Sequence, residues 1–265
     1  MRRPLVLITV AALAVAACTT SPTGRRQLQL FPSSQMAEMG ATAFQQMQEE
    51  LPVDKDPVVN RYVECVADAI TRQLEGKREW EVRVFDDSSA NAFALPGGKI
   101  GVHTGLLKVA KNQDQLATVI GHEVAHVIAE HSNERVSTAF ATNAGLQIVQ
   151  ALSGSQGSGQ QQAVMALLGV GAQFGILLPF SRTQESEADI VGLQLMAKAG
   201  FDPRESIALW QNMEQAGGGQ PPEFLSTHPS HGRRINDLQA GMDEAMKYYK
   251  EARAAGRKPS CQSSG

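Results

Sequence analysis

Apolar residues recur at three- and four-residue intervals through MAEMGATAFQQMQEEL (36–51) and DPVVNRYVECVADAITRQLE (56–75), so two amphipathic helices that meet near Leu51-Pro52 are expected. The period then changes. In WEVRVFDD, Trp80, Val82 and Val84 alternate with polar neighbours, which is the pattern of a strand. Phe93 to Leu95 and Lys99 to Val102 read as two more short strands joined by the turn Pro96-Gly97-Gly98, giving a small antiparallel sheet. Its edge from Asn91 to Leu95 can hold an extended peptide or can simply cover the core.

Helical spacing returns after Asn112, which with Gln115 three residues later makes a capping-box-like start for a helix through DQLATVIGHEVAHVIAEH (114–131). Leu116, Ile120, Val124, Val127 and Ile128 face inward on it. A helix from about 133 to 152 leads into the loop GSQGSGQQQ, and AVMALLGVGAQFGILLPF (163–180) is a long apolar stretch. Three glycines, Gln173 and Pro179 favour a buried or surface-docked helix there over a membrane span. SRTQESEADIVGLQLMAKAG is helical up to Gly200, PRESIALWQNMEQAGG supplies another helix, and a last one follows the turn STHPSHGRRI. The fold expected is mainly α with a small antiparallel β-sheet (α+β), as one domain over 35–255 with a polar tail at 256–265.

The first residues change what counts as folded. Arg2 and Arg3 precede an apolar run from Leu5 to Ala17, too short for a stable span and laid out like a secretory signal. Val15-Ala16-Ala17-Cys18 looks like a bacterial lipobox, so 1–17 reads as a signal peptide and Cys18 as a lipidated first residue. Similarity to bacterial lipoproteins implies that Thr19, in place of an aspartate, favours the outer membrane, on its periplasmic side. The Ser-, Thr- and Pro-rich residues 19–34 read as a tether. Removing residues 1–17, which hold two arginines and no acids, moves the net charge from −3 to −5 and leaves no basic face for nucleic acid. Cys65 and Cys261 remain as an even pair in an oxidising compartment, bridged or left as two thiols.

GHEVAHVIAEH (121–131) carries the chemistry. Residues four apart lie on one helix face about 6 Å apart along the axis, so His122 and His126 can aim both imidazoles at one ion. Glu123, beside the first histidine, reaches a water at the ion without binding the ion. His131 falls on a different face and reads as a helix C-terminal histidine favoured by the dipole. HExxH is short enough to arise by chance, so a third ligand is needed. ESEAD offers Glu185 and Asp189, four apart on a helix. One carboxylate can bind the ion while the other hydrogen-bonds a ligand histidine, and Glu187 points elsewhere. A solvated acidic face is the plainer alternative.

HEVAH, then SRTQESEADIVG, then STHPSHGRRI, in that order, resemble the HtpX-like family of zinc metallopeptidases, nearest its periplasmic lipoprotein members LoiP and the peptidase domain of BepA. The resemblance implies a gluzincin and one Zn2+ per chain. His122, His126 and Glu185 would be the ligands, Glu123 the general base, and Asp189 the support of a ligand histidine. His228 in the STHPSHGRRI turn is a candidate oxyanion donor with Arg234 supporting its loop. In relatives this histidine can instead close onto the zinc, and as a plain turn histidine before Pro229 it would have neither role. His231 and His103 are left without a function. The implied activity is hydrolysis of unfolded or misassembled envelope proteins, with the outer-membrane assembly machinery a candidate partner. A tethered chaperone with a mainly structural zinc is the alternative. The chain ends at Gly265 without BepA's helical repeats, so partner binding through such repeats is not expected.

Overall fold

The computed structural model describes residues 18–76, 78–152, 180–216, 224, 228 and 234–262, with backbone alone at 18 and 143–152. Two strands come first, β1 (Cys18–Thr20) and β2 (Arg26–Leu28), followed by α1 (Ser33–Glu50) and α2 (Pro57–Thr71). A sheet follows, of β3 (Glu81–Phe85), β4 (Ala92–Leu95) and β5 (Lys99–His103). The remaining helices are α3 (Thr104–Val109), α4 (Gln113–Ile128), α5 (His131–Leu152), α6 (Arg182–Ala199), α7 (Glu205–Ala216) and α8 (Arg234–Ala254). The expected α-rich fold with a small sheet is what the chain adopts. Among the described residues no helix is long and apolar enough to cross a membrane, and 163–179 lie outside them.

The hairpin β4–β5 is antiparallel as expected, with Phe93 opposite Gly101. β3 instead pairs parallel to β5, Val84 opposite Val102, so β5 is central and β4 keeps an outer edge.

α4 is the axis of the molecule. Gln115 through Val127 are all buried, because the helix is enclosed by the sheet, α2, α6 and α7 and not merely laid on a core. The Asn112 side chain accepts from Gln115 N at 2.8 Å, while the Gln115 side chain accepts from Lys111 N. α6 starts with a full capping box, Ser181 with Gln184, and stops at Gly200 with φ 94°.

Where α4 and α6 cross, Gly121 faces Gly192. A Cβ built on Gly192 would lie 2.7 Å from His122 N and one on Gly121 2.9 Å from Gly192 O. The two backbones therefore touch, and this close approach lets side chains of α6 reach the ring of His122.

Two stretches expected to be loose are tied down. Residues 18–28 form an antiparallel hairpin, Thr19 opposite Gln27, with Ser21 and Gln27 buried. Polar composition there marks a segment satisfied by polar partners, among them Ala129 O, which accepts from Gln27 Nε2 at 3.0 Å. The tail is held by a disulfide between Cys65 and Cys261, by Cys261 N donating to Gln113, and by Arg257 donating to Lys198 O.

Candidate metal centre

His122 and His126 sit one turn apart on α4 with their Nε2 atoms 3.0 Å from each other. Glu185, in the first turn of α6, places one oxygen 3.5 Å from His122 Nε2 and the other 3.4 Å from His126 Nε2. His228 brings Nδ1 within 3.0 Å of Glu185 and 3.3 Å of His122 Nε2. One ligand atom from each of these four buried side chains lies within 4.8 Å of the others. The expected ligands thus converge. His228 joins them at a fourth corner, the place of a histidine closed onto the site rather than of an oxyanion donor, both of which were open for it.

Asp189 and Arg234 lie around the cluster's outer side. Asp189 Oδ1 bonds His122 Nδ1 at 2.9 Å, which holds that nitrogen's proton outward and makes Nε2 the ring atom that faces the cluster. Arg234 then donates to Asp189 Oδ2 and Glu185 Oε2, both at 2.6 Å, and lies 4.0 Å over the ring of Trp210. It thereby braces both carboxylates, Glu185 as well as Asp189.

Glu123 is buried, and its Oε2 accepts from Ala94 N on the outer edge of β4 at 3.0 Å. Its other oxygen has no hydrogen bond among the described residues; His228 Nε2 stands 3.4 Å away without hydrogen-bond geometry. Burial pushes the Glu123 carboxyl above its ordinary value, against the pull of His228 and His122.

The two α4 histidines are driven apart. Burial alone would lower His122, but hydrogen bonds to Asp189 and Glu185 raise it to about 9, whereas burial keeps His126 well below the usual histidine range. Glu185, which burial would raise, is held far below the usual carboxylate range by hydrogen bonds with His122, His126 and His228. Two inward nitrogens and a carboxylate this close could hold a metal ion, and the nitrogen-nitrogen-oxygen donor set suits zinc.

Sequence reasoning missed His131 and Glu187. α4 ends at Ile128, and Glu130 adopts a left-handed φ of 53° before α5 begins at His131. The chain turns back there, so helical spacing no longer applies. His131 Nδ1 lies 2.9 Å from His126 Nδ1, and its Nε2 lies 3.2 Å from Glu187 Oε2. The five-residue spacing carried no signal of this contact. Phe180 stacks on His126 at 3.9 Å between centroids. His103 bonds Ser89 at 2.8 Å on the far strand, away from the cluster, and His231 lies outside the described residues.

Beside His126 opens a cavity of roughly 550 Å3 between the start of α1, the Pro96-Gly97 turn and the α4–α5 junction. A buried HExxH helix, a remote glutamate and this cleft define a metalloenzyme. The chain belongs to peptidase family M48, whose model matches residues 54–241.

Relatives extend more widely than the motifs suggested. The Mitochondrial metalloendopeptidase OMA1 of Schizosaccharomyces pombe is 41% identical over 170 residues, 63% of this chain and 48% of that protein. The OMA1 protein of Arabidopsis thaliana is 40% identical over 197 residues, 74% of this chain and 38% of that protein. The Beta-barrel assembly-enhancing protease of Escherichia coli O157:H7 is 29% identical over 212 residues, 77% of this chain and 43% of that protein. The chain thus spans half or less of the length of these relatives, and OMA1-type peptidases match at higher identity than the Beta-barrel assembly-enhancing protease does.

Proposed function

We propose that the chain is a zinc-dependent endopeptidase of the bacterial envelope that cleaves exposed segments of unfolded or misassembled proteins, tethered to the periplasmic face of the outer membrane by lipid on Cys18. One observation carries the reading: His122, His126 and Glu185 converge beside a buried Glu123 that has one oxygen without a hydrogen bond. When bound, a zinc ion supplies a Lewis acid that polarises a peptide carbonyl and acidifies water. Glu123 takes the proton of that water and passes it to the leaving amine, with Ala94 N–H fixing the orientation of its carboxylate. A substrate lies along the outer edge of β4, where the Ala92 and Ala94 carbonyls face away from β5. The cavity beside His126 receives one of its side chains.

The arrangement of His228 favours a second reading. Four protein ligands close a zinc site, as in structural centres. Under the peptidase reading this geometry is a resting form, and the His228 side chain leaves the cluster to admit water and substrate and then donates to the oxyanion. The chaperone reading keeps it closed. Purified Glu123→Gln protein should bind one zinc and lose activity on unfolded casein by about 100- to 10,000-fold. Parental activity in that variant overturns the hydrolytic role. His228→Ala protein that holds zinc but cleaves nothing, beside an equally inert parent, favours the chaperone. The lipid anchor is tested by Cys18→Ser, which should move the protein from the outer-membrane fraction to the soluble periplasm.

A further inference from the structure

We propose that His131 and Glu187 are positioning residues for His126, and that the β1–β2 hairpin, through Thr23 and Arg25, keeps them in place and so sets how tightly the centre holds its metal. The inference rests on reading His126 as a ligand. It concerns residues that neither the motif nor the ligand set includes.

Proton counting along the relay gives the reason. A glutamate carboxylate only accepts, so Glu187 Oε2, 3.2 Å from His131 Nε2, requires that nitrogen to carry the hydrogen. Neutral His131 then presents a lone pair at Nδ1. His126 must donate to it from its own Nδ1 across 2.9 Å, and its Nε2 is left with the lone pair that faces Glu185 and His122. The reverse order of protons would put a hydrogen on His126 Nε2 and prevent ligation. Glu187 therefore selects the ligating tautomer of a histidine it does not touch, while both intervening rings are fully buried.

Glu187 is fixed in turn by the hairpin. Its Oε1 accepts from Thr23 Oγ1 at 2.7 Å and from Thr23 N at 3.3 Å, and its Oε2 accepts from Arg25 Nε at 3.0 Å. The terminal nitrogens of Arg25 fork onto Glu134 at 2.5 and 2.7 Å, and Gln184, the capping residue of α6, donates to Glu134 at 2.7 Å. A segment far upstream of α4 thus ends three hydrogen-bonded contacts from a ligand ring.

Zinc affinity of the full chain, measured by competition with a chromogenic chelator, tests this together with the visible spectrum of the cobalt-substituted protein. His131→Leu should weaken zinc about 10- to 100-fold and alter the cobalt bands. His131→Asn, whose side-chain oxygen can accept from His126, should recover most of the loss. Arg25→Ala and Thr23→Val, in the less buried hairpin, should each weaken zinc several-fold and lower kcat with KM unchanged. Parental affinity and spectrum in folded His131→Leu protein overturn the relay; if that variant does not fold, His131→Asn and Arg25→Ala decide. An Arg25→Ala chain that melts earlier without metal yet binds zinc normally removes the hairpin from the centre. A parent that binds no zinc defeats the metallopeptidase reading itself, a result distinct from these.

Discussion

The two histidines of the HExxH helix are one turn apart, yet different parts of the molecule hold them. His122 is supported from within the helical core, by Asp189 of α6 and by Arg234 at the start of α8, in a buried ionic network. His126 is supported at the margin, by His131 just past the end of its own helix, by Phe180, and through Glu187 by a hairpin at residues 18–28. The hairpin lies outside the residues that the M48 family model matches. The comparison teaches that equal spacing on a helix does not mean equal anchoring. One histidine is held by the helices that enclose it, the other by contacts that lead to an N-terminal hairpin.

The strongest perturbation should fall outside both supports. Replacing Cys65 and Cys261 by serine opens a loop with a sequence separation of 196 and should cost about 5 kcal/mol in the chain-entropy account. Denaturant unfolding reads the loss, while zinc affinity of the folded protein should stay at the parental level. Asp189→Ala strikes the His122 side. It leaves Arg234 with one buried partner fewer, so about 3–5 kcal/mol of stability and about 10- to 100-fold in zinc affinity should be lost together. An Asp189→Ala protein that loses less zinc affinity than His131→Leu would reverse the ranking of the two supports.

Smaller changes sharpen the contrast. Gly192→Ala pushes α6 away from α4 at the crossing beside His122 and should cost about 1–3 kcal/mol, with Glu185 and Asp189 displaced together. A melting curve and zinc titration on one sample would show both effects. Gln27→Ala removes the hairpin's bond to Ala129 O and should cost about 1 kcal/mol, seen as faster amide exchange in residues 18–28. Zinc affinity should fall less than in Arg25→Ala, because Gln27 reaches Glu187 only through Arg25, from whose guanidinium it accepts at 3.2 Å.

Much of the centre was legible because it depends on local regularity. Four-residue spacing on a helix put His122 with His126 and Glu185 with Asp189 on common faces, and Gly200 marked the end of α6. What was not legible lies where regularity breaks. The left-handed turn at Glu130 returned His131 to His126, against a reading that assumed one continuous helix. Polar residues in 18–34 suggested a tether, since composition does not show that Glu134 and Glu187 stand ready to pair with Arg25. Neither did alternation reveal that β3 pairs parallel to β5, because period-two patterning fixes which face is buried and not which neighbour is chosen.

The sequence by itself determined the helices, the sheet hairpin, and the kinds of atom available to a metal, because periodicity, caps and side-chain chemistry act within a few residues. Only the tertiary structure decided which ring nitrogen faces the cluster, that His228 fills its fourth corner, and that the hairpin reaches His126. Those outcomes depend on protons and charges meeting either across 43 to 164 residues or around the left-handed turn that brings His131 back to His126, and no local preference encodes such meetings.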